Sequence, residues 1–206
     1  MFDKIDRLFL WQKLINENLS NKFVTAIKSM YSVVKSFIKY NSESSDFINS
    51  NIGVKQGDPA SSILCLFFLN DILNNITTDL NGVINIDNLY LFLICFADDA
   101  ILFTQDPVSL QRMLNDIELY CNTWNLKNNI NKTKIMIFEN GRHTNYDFYI
   151  YNSRIDIVQS FKYLGVNLFK NGNWNRTQKR VSQHASFSLH NLFMVCNQLD
   201  LPVSQL

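Results

Sequence analysis

Hydrophobic positions in the first part of the chain predict two helices, a hairpin and a third helix. Apolar residues recur at helical spacing over 5–15, behind Asp6 as a possible N-cap, and a second helical segment follows over 21–34. Two strand-like runs around a polar turn predict a hairpin over 33–54. The long apolar run after Pro59 predicts a buried helix, because proline suits the first turn of a helix.

The second half of the chain continues this alternation. Helical periodicity predicts an amphipathic helix over 107–125, and short apolar runs predict strands over 134–139, 148–152 and 163–168. A final helix is predicted from about 174 to 199. Helices mixed with mostly hairpin-connected strands predict an α+β fold.

A pair of aspartates interrupts the apolar pattern in the middle of the chain. The stretch LFLICFADDAILFT places Asp98 and Asp99 between two runs that predict strands joined by a tight turn. Aspartate is common in turns, so an ordinary turn is one interpretation. The apolar flanks, however, would hold both carboxylates on a rigid hairpin. Adjacent carboxylates repel unless a cation compensates, and Mg²⁺ takes carboxylate oxygens together with substrate phosphates, which suggests two-metal phosphoryl transfer.

Composition limits the class of protein. The chain has 206 residues, of which 47% are hydrophobic and 18% charged, as expected for a globular protein able to bury a core. No apolar run is long and uninterrupted enough to span a bilayer, and no signal peptide opens the chain. Four scattered cysteines without a CxxC pair argue against a zinc site or a disulfide framework. We therefore expect an intracellular protein that is neither secreted nor transmembrane and that binds no zinc.

Charge is unevenly distributed along the chain. Residues 1–122 hold nine Lys/Arg and fourteen Asp/Glu, a net charge of −5, whereas residues 123–180 hold ten and three, a net charge of +7. A basic segment of this kind indicates a polyanionic partner. A solvated basic face explains the same pattern equally well.

Four ordered blocks give the chain a family resemblance. They read NIGVKQGDPASSILCLFFLNDI, LICFADDAILFTQD, NLKNNINKTKIMIF and FKYLGVNL. In this order they resemble the reverse transcriptase (RNA-dependent DNA polymerase) domain of non-LTR retrotransposons, over almost the whole chain. The resemblance implies a polymerase palm-type α+β domain, in which an antiparallel sheet carrying the F-x-D-D hairpin packs on helices. It further implies a partial palm and fingers domain over 1–170 and a C-terminal helix over 171–206 that begins the thumb.

The resemblance also implies roles for individual residues. Asp98 and Asp99 match the aspartates that bind two catalytic Mg²⁺ ions, and Phe2 takes the place of the aromatic residue that screens the sugar of the nucleotide. The block that cradles the template base and the incoming deoxynucleoside triphosphate matches Lys55, Gln56, Gly57, Asp58 and Pro59. In isolation, Gly-Asp-Pro is also an ordinary turn before a helix.

Two later blocks imply contacts with the triphosphate and the DNA primer. Lys134 matches a lysine that approaches the triphosphate as an acid for the leaving pyrophosphate, with Lys132 as a competitor and a solvated strand-edge lysine as the alternative. Tyr163, Leu164 and Gly165 match the block that grips the backbone of the primer on an RNA template. The alternative there is a strand whose glycine marks a bulge.

One ligand of the family's metal site has no counterpart in the chain. The third aspartate of the palm lies five positions before the aromatic matched by Phe2, so it would fall upstream of Met1, and Asp3 is no substitute in this register. Loss of one of three ligands would cost on the order of a thousandfold or more in rate. We therefore expect a polymerase fragment, truncated at both ends and inactive alone. The alternative is a non-catalytic, retroelement-derived remnant that binds nucleic acid through its basic region.

Overall fold

The structure is a computed structural model that describes residues 2–76, 82–138 and 146–198. The chain forms two units. One comprises Met1–Asn129 with Phe148–Arg154, and the other comprises Ile130–Asp147 with Ile155–Leu206. The division into a palm and fingers domain and a thumb helix at residue 170 stays a prediction.

Helices begin where a polar side chain caps the first turn. Asp6, Ser20, Asp58 and Asp106 each accept a hydrogen bond from a backbone N–H that the helix itself leaves without a partner. Within the described ranges the α-helices are α1 (Arg7–Asn16), α2 (Asn21–Met30), α3 (Pro59–Leu69), α4 (Pro107–Thr123) and α5 (Asn175–Gln198). Two 3₁₀ turns are Phe2–Lys4 and Asn70–Asn75. These elements confirm the predicted helices and the cap at Asp6, although α2 ends at Met30 and not at 34. The predicted last turn near 199 lies outside the described residues.

Strands pair in twos wherever the structure describes them. The antiparallel pairs are β1 (Lys35–Ser36) with β4 (Ile48–Asn49), β2 (Lys39–Tyr40) with β3 (Glu43–Ser44), β5 (Ile84–Ile86) with β6 (Leu89–Leu91), β7 (Leu93–Phe96) with β8 (Asp99–Leu102), β10 (Tyr149–Ile150) with β11 (Ser153–Arg154), and β13 (Ser160–Tyr163) with β14 (Val166–Phe169). A parallel pair joins β9 (Lys134–Ile135) to β12 (Asp156–Ile157). Helices with small, mostly antiparallel sheets agree with the expected α+β class.

The structure corrects the strand prediction in several places. Of the strand predicted over 134–139, only Lys134–Ile135 is paired, 136–138 are not in a strand, and 139 lies outside the described residues. The β5–β6 hairpin was not expected, although Asp87 and Asn88 at its turn, with φ of 48° and 67°, are residue types that tolerate a left-handed backbone. The strand predicted over 163–168 is instead the turn and second strand of the β13–β14 hairpin. Tyr163 pairs directly with Val166, so Gly165 lies in a two-residue turn and does not mark a bulge.

The core of the first unit consists of two clusters bridged by a buried lysine. The first lies among α1, α2 and α3 and includes Leu10, Leu14, Val24, Leu64 and Phe68. The second lies under α4 and includes Ile72, Ile76, Met113, Tyr120 and Cys121. Lys13 Nζ donates to Phe68 O at 2.7 Å and to Tyr120 Oη at 2.6 Å, and it forms an ion pair with Asp71. Burial lowers the pKa of Lys13, and the Asp71 carboxylate opposes this shift.

Across the described ranges, no helix combines the length and the apolar character that crossing a membrane requires.

Candidate functional site

The two predicted metal ligands lie on the turn of the β7–β8 hairpin. Phe96 pairs with Asp99, so the turn consists of Ala97 and Asp98. Ala97 has a φ of 52°, a left-handed conformation that costs a residue with a Cβ roughly 1–2 kcal/mol. Asp98 and Asp99 are both exposed to solvent. The tight turn predicted from the sequence is therefore confirmed, and it holds two adjacent carboxylates at the surface.

The opposite end of this hairpin is anchored in the core. Phe92, Leu93 and Leu102 pack against the cluster under α4, and Phe103 N–H donates to Phe92 O at 2.8 Å. Burial of apolar side chains at one end fixes the hairpin and leaves its turn accessible. The carboxylates are thus carried by a packed element and not by a long loop.

Two cysteines add electrostatic detail around the aspartates. Burial raises the pKa of the Cys65 thiol on α3 to about 11, and the nearby Asp98 carboxylate raises it further. Partial desolvation also raises the pKa of the Cys95 thiol on β7, although this residue is exposed. Both thiols therefore stay protonated at neutral pH and add no negative charge. In the parts of the chain that the structure describes, no group of three or more His, Cys, Asp and Glu residues gathers as a metal site, so the hairpin offers a hard cation two carboxylates.

The predicted nucleotide loop leads directly into α3. Gly57 has a φ of 79°, and no heavy atom lies within 4 Å of the position where a Cβ would stand. The backbone at Gly57 is therefore open to close approach by a ligand. Asp58 caps α3 by accepting from Ala60 N–H at 2.9 Å, and Pro59 occupies the first turn. Asp58 and Pro59 thus serve as the cap and the first residue of a helix, as in an ordinary turn before a helix.

A hydrogen bond joins this loop to the N-terminal turn. Gln56 Nε2 donates to Asp3 Oδ1 at 2.7 Å, which places the loop beside the Phe2–Lys4 turn. Lys55 is directed elsewhere, because its Nζ donates to Met30 O at 3.0 Å. The segments that carry Phe2, Gln56 and Gly57 are therefore neighbours, as the resemblance implies.

Helix α3 connects the loop with the aspartate hairpin. It begins directly after Gly57 and Asp58. It also carries Cys65, and the Asp98 carboxylate raises the pKa of this thiol. The loop at Gly57 is thus continuous with the helix that carries Cys65, the thiol on which the Asp98 carboxylate acts.

Lys134 has a partner in the second unit. It lies directly opposite Asp156 in the parallel pair of β9 and β12, and Lys134 Nζ is 2.6 Å from Asp156 Oδ2. Asp156 is separated from Lys134 by 22 positions, and sequence reasoning missed it because parallel pairing leaves no local signal. A lysine held in this ion pair must leave Asp156 before its ammonium group can approach a triphosphate.

The predicted primer-grip residues form the β13–β14 turn in the second unit. Tyr163 ends β13, and Leu164 and Gly165 make the turn, with φ of 46° and 84°. Leucine rarely adopts a positive φ, so this turn, like that at Ala97, has a strained backbone.

A cavity of about 490 Å³ lies between this hairpin and α5. Lys162, Arg180 and His184 line it together with Gly165. Residues 157–198 contain five Lys/Arg and no Asp/Glu, so both elements lack carboxylates. The cavity suits an anion on charge grounds.

Comparison with known proteins identifies the family of the chain. The sequence profile described as "Reverse transcriptase (RNA-dependent DNA polymerase)" matches residues 1–168. A Xenopus laevis protein named "Transposon TX1 uncharacterized 149 kDa protein" is 30% identical over 120 residues, which is 58% of this chain and 9% of that protein. A Drosophila melanogaster "Retrovirus-related Pol polyprotein from type-2 retrotransposable element R2DM" is 24% identical over 185 residues, covering 83% of this chain and 17% of the polyprotein. The chain therefore spans less than a fifth of each of these relatives. The profile match and these two relatives confirm the resemblance stated from the four blocks.

Proposed function

The chain belongs to the reverse transcriptase (RNA-dependent DNA polymerase) family, and from this premise we propose that it contributes the metal and nucleotide residues for RNA-directed DNA synthesis. The observation that carries the proposal is the exposed Asp98–Asp99 pair on a hairpin anchored in the core. The reaction is a nucleotidyl transfer from a deoxynucleoside triphosphate to a DNA primer on an RNA template.

Asp98 and Asp99 would hold two Mg²⁺ ions through their carboxylate oxygens, with substrate phosphates and water as further ligands. Bound there, the ions supply charge neutralisation for the transferred phosphoryl group and activation of the attacking hydroxyl. The protonated thiols of Cys65 and Cys95 leave the carboxylates as the hard donors at this position. Anchoring of the hairpin fixes both oxygen donors before substrate arrives, which lowers the entropic cost of assembling the site.

The nucleotide would lie against the open backbone at Gly57. Gln56 is held by Asp3, so its side chain and the Phe2–Lys4 turn can contact the same nucleotide. Asp58 and Pro59 would contribute by starting α3 at a fixed point. Lys134 would donate a proton to the leaving pyrophosphate only after exchange from its ion pair with Asp156.

The primer would contact the turn formed by Tyr163, Leu164 and Gly165. Support comes from the adjacent cavity, where Lys162 and Arg180 favour phosphate groups. Residues 157–198 contain no Asp or Glu, so the preference for phosphate groups extends along α5. Nucleic-acid backbones bind such surfaces through counterion release, which makes the affinity depend on salt.

We also propose that the metal site needs a third carboxylate besides those of Asp98 and Asp99. Among the residues that the structure describes, Asp98 and Asp99 belong to no group of three ligands, whereas the family register expects a third aspartate. Loss of one ligand of such a site costs on the order of a thousandfold or more in rate.

Primer extension on an RNA template with Mg²⁺ tests this function. The chain is compared with a version that carries an additional upstream strand containing the family's first aspartate, each with Asp98→Ala and with Asp87→Asn as the control. Asp87 is an exposed aspartate on the neighbouring β5–β6 turn, so it matches Asp98 in charge and setting. We expect extension only by the longer version, its loss in Asp98→Ala and its retention in Asp87→Asn. Activity of the longer version that survives Asp98→Ala would overturn the metal assignment.

A second candidate function is non-catalytic binding of nucleic acid. The segment without Asp or Glu over 157–198 and the basic cavity between α5 and the β13–β14 hairpin favour it. It predicts salt-sensitive binding of RNA or primer–template that Asp98→Ala leaves unchanged, together with no extension by either version.

A further inference from the structure

The N-terminal segment and the loop that precedes Gly57 run side by side in opposite directions. Gln56 Nε2 donates to Asp3 Oδ1 at 2.7 Å, and Gly53 N–H donates to Ile5 O at 2.8 Å. Arg7 Nε in turn donates to Gly53 O at 2.8 Å. The N-terminal segment thus contacts the loop at Gln56 and, further along, twice at Gly53.

Arg7 makes several of these contacts with one guanidinium group. Besides Gly53 O, it donates to Ser50 O at 2.8 Å, Ile52 O at 3.2 Å and Tyr31 O at 3.5 Å. Its partners are backbone carbonyls, which a planar fork of five N–H groups can reach at once. A lysine ammonium is a point donor and cannot span carbonyls spread over this loop.

The aromatic ring beside Arg7 ties the same loop to α3. The guanidinium carbon lies 5.1 Å from the centroid of the Tyr31 ring, a cation–π distance. Lys55 N–H donates to Tyr31 Oη at 3.4 Å, and Tyr31 Oη is 3.2 Å from Ser61 Oγ on α3. Arg7 therefore binds the loop carbonyls directly and also contacts Tyr31, whose hydroxyl accepts from the loop at Lys55.

We propose that Arg7 is a positioning residue of the nucleotide site, which fixes the loop over 50–56 against the Phe2–Lys4 turn and so places Gln56 and Gly57. This inference rests on the proposed role of Gln56 and Gly57 in nucleotide binding. Arg7 joins the loop to the start of α1 through side-chain hydrogen bonds to loop carbonyls, so its loss should loosen the loop first. The half-buried carbonyls that it satisfies would lose charge-assisted hydrogen bonds.

Nucleotide binding with a chemical rescue tests the proposal. The full chain is mixed with Mg²⁺ and an RNA–DNA primer–template whose primer ends in a dideoxynucleotide, and the Kd of the matched fluorescent deoxynucleoside triphosphate is measured. We expect Arg7→Lys and Arg7→Ala to raise this Kd by about tenfold or more. Millimolar guanidinium should restore the affinity of Arg7→Ala but not that of Arg7→Lys. Arg154→Ala, which removes an exposed arginine of the same unit, should bind like the unaltered chain.

Amide hydrogen exchange separates this inference from the function on which it rests. In both Arg7 variants, exchange should speed most in the loop over 50–56, with the amides of Gly53 and Lys55 as reporters, while the amides of α3 and α4 keep their protection. If the unaltered chain binds no nucleotide, the proposed function fails, while loop exchange still decides the role of Arg7. Unchanged loop exchange or an unchanged Kd in Arg7→Lys would overturn the positioning role. So would a Kd in Arg7→Ala that guanidinium leaves raised.

Discussion

Two residues with a strained backbone lie on turns for which a function is proposed. Ala97 and Leu164 both have a positive φ, and each lies on a turn to which the family resemblance assigns a function. Strained residues persist where the surrounding structure fixes them, and they are frequent in binding sites. Asp58 differs from these two residues, because its backbone is unstrained and its carboxylate already serves as a helix cap.

Sequence reasoning at this scale succeeded where the signal was local. The cap at Asp6 and the tight turn at Asp98 follow from neighbouring residue types, and both are confirmed. The contacts of Arg7 and the ion pair of Lys134 with Asp156 could not be predicted, because their partners lie 22 to 46 positions away and several are backbone carbonyls.

Replacement of Asp58 tests its role as the cap of α3. Asp58→Ala should lower the free energy of unfolding by about 1 kcal/mol, because the first turn of α3 loses its cap, whereas Asp58→Asn should retain most of the stability. Urea denaturation measures both. Equal losses in the two variants would show that the negative charge and not the cap is what matters.

Cys65 should make stability depend on pH in alkaline solution. Burial raises its pKa from the usual 9.0 to about 11, so the folded state retains a proton that the unfolded state releases. The resulting stabilisation is complete below about pH 9 and is lost as pH rises towards 11, on the order of 2 kcal/mol. Between pH 7 and pH 11, the free energy of unfolding should fall less in Cys65→Ala than in the unaltered chain. Urea titrations at each pH measure this free energy. Parallel pH profiles would contradict the assignment.

At the scale of elements, function is proposed for hairpin turns whose bases are packed. The β7–β8 hairpin packs on the cluster under α4, and the β13–β14 hairpin contacts α5 through Thr177 Oγ1, which donates to Asn167 O at 2.6 Å. Helices were predicted well because periodicity and caps both mark them. Hairpins were predicted less well, because the strands beside Asp87 have only three residues each and the turn at Leu164 begins with an apolar residue.

The cavity beside α5 gives an element-scale prediction. Lys162→Gln and Arg180→Gln should each weaken primer–template binding and reduce the slope of log K against log salt by about 0.7–0.9, the value of one lost phosphate contact. Lys179→Gln is the matched control, because Lys179 is on the same helix but does not line the cavity. Fluorescence anisotropy over a salt series measures the slopes. A slope lowered equally by all three substitutions would indicate a diffuse basic surface instead of a site.

At the scale of the whole molecule, family membership explains what composition could not. The net charge of +1 conceals the acidic and basic halves, and apolar content alone indicates only a globular protein. The order of four blocks identified the family, and the match over residues 1–168 covers the residues that we propose bind metal, nucleotide and primer. The relatives are far longer than this chain, so activities of the whole proteins come to it only as proposals.

The most direct test of the central claim is binding of a divalent cation at the Asp98–Asp99 turn. Mn²⁺ can replace Mg²⁺ and is followed by electron paramagnetic resonance, with the chain bound to a dideoxy-terminated primer–template and the matched deoxynucleoside triphosphate. We predict that Asp98→Ala and Asp99→Ala each weaken Mn²⁺ binding by about tenfold or more, since each removes a carboxylate ligand. Asp87→Asn should leave the affinity unchanged. Equal Mn²⁺ affinity in all four proteins would contradict the claim that this hairpin is the metal site.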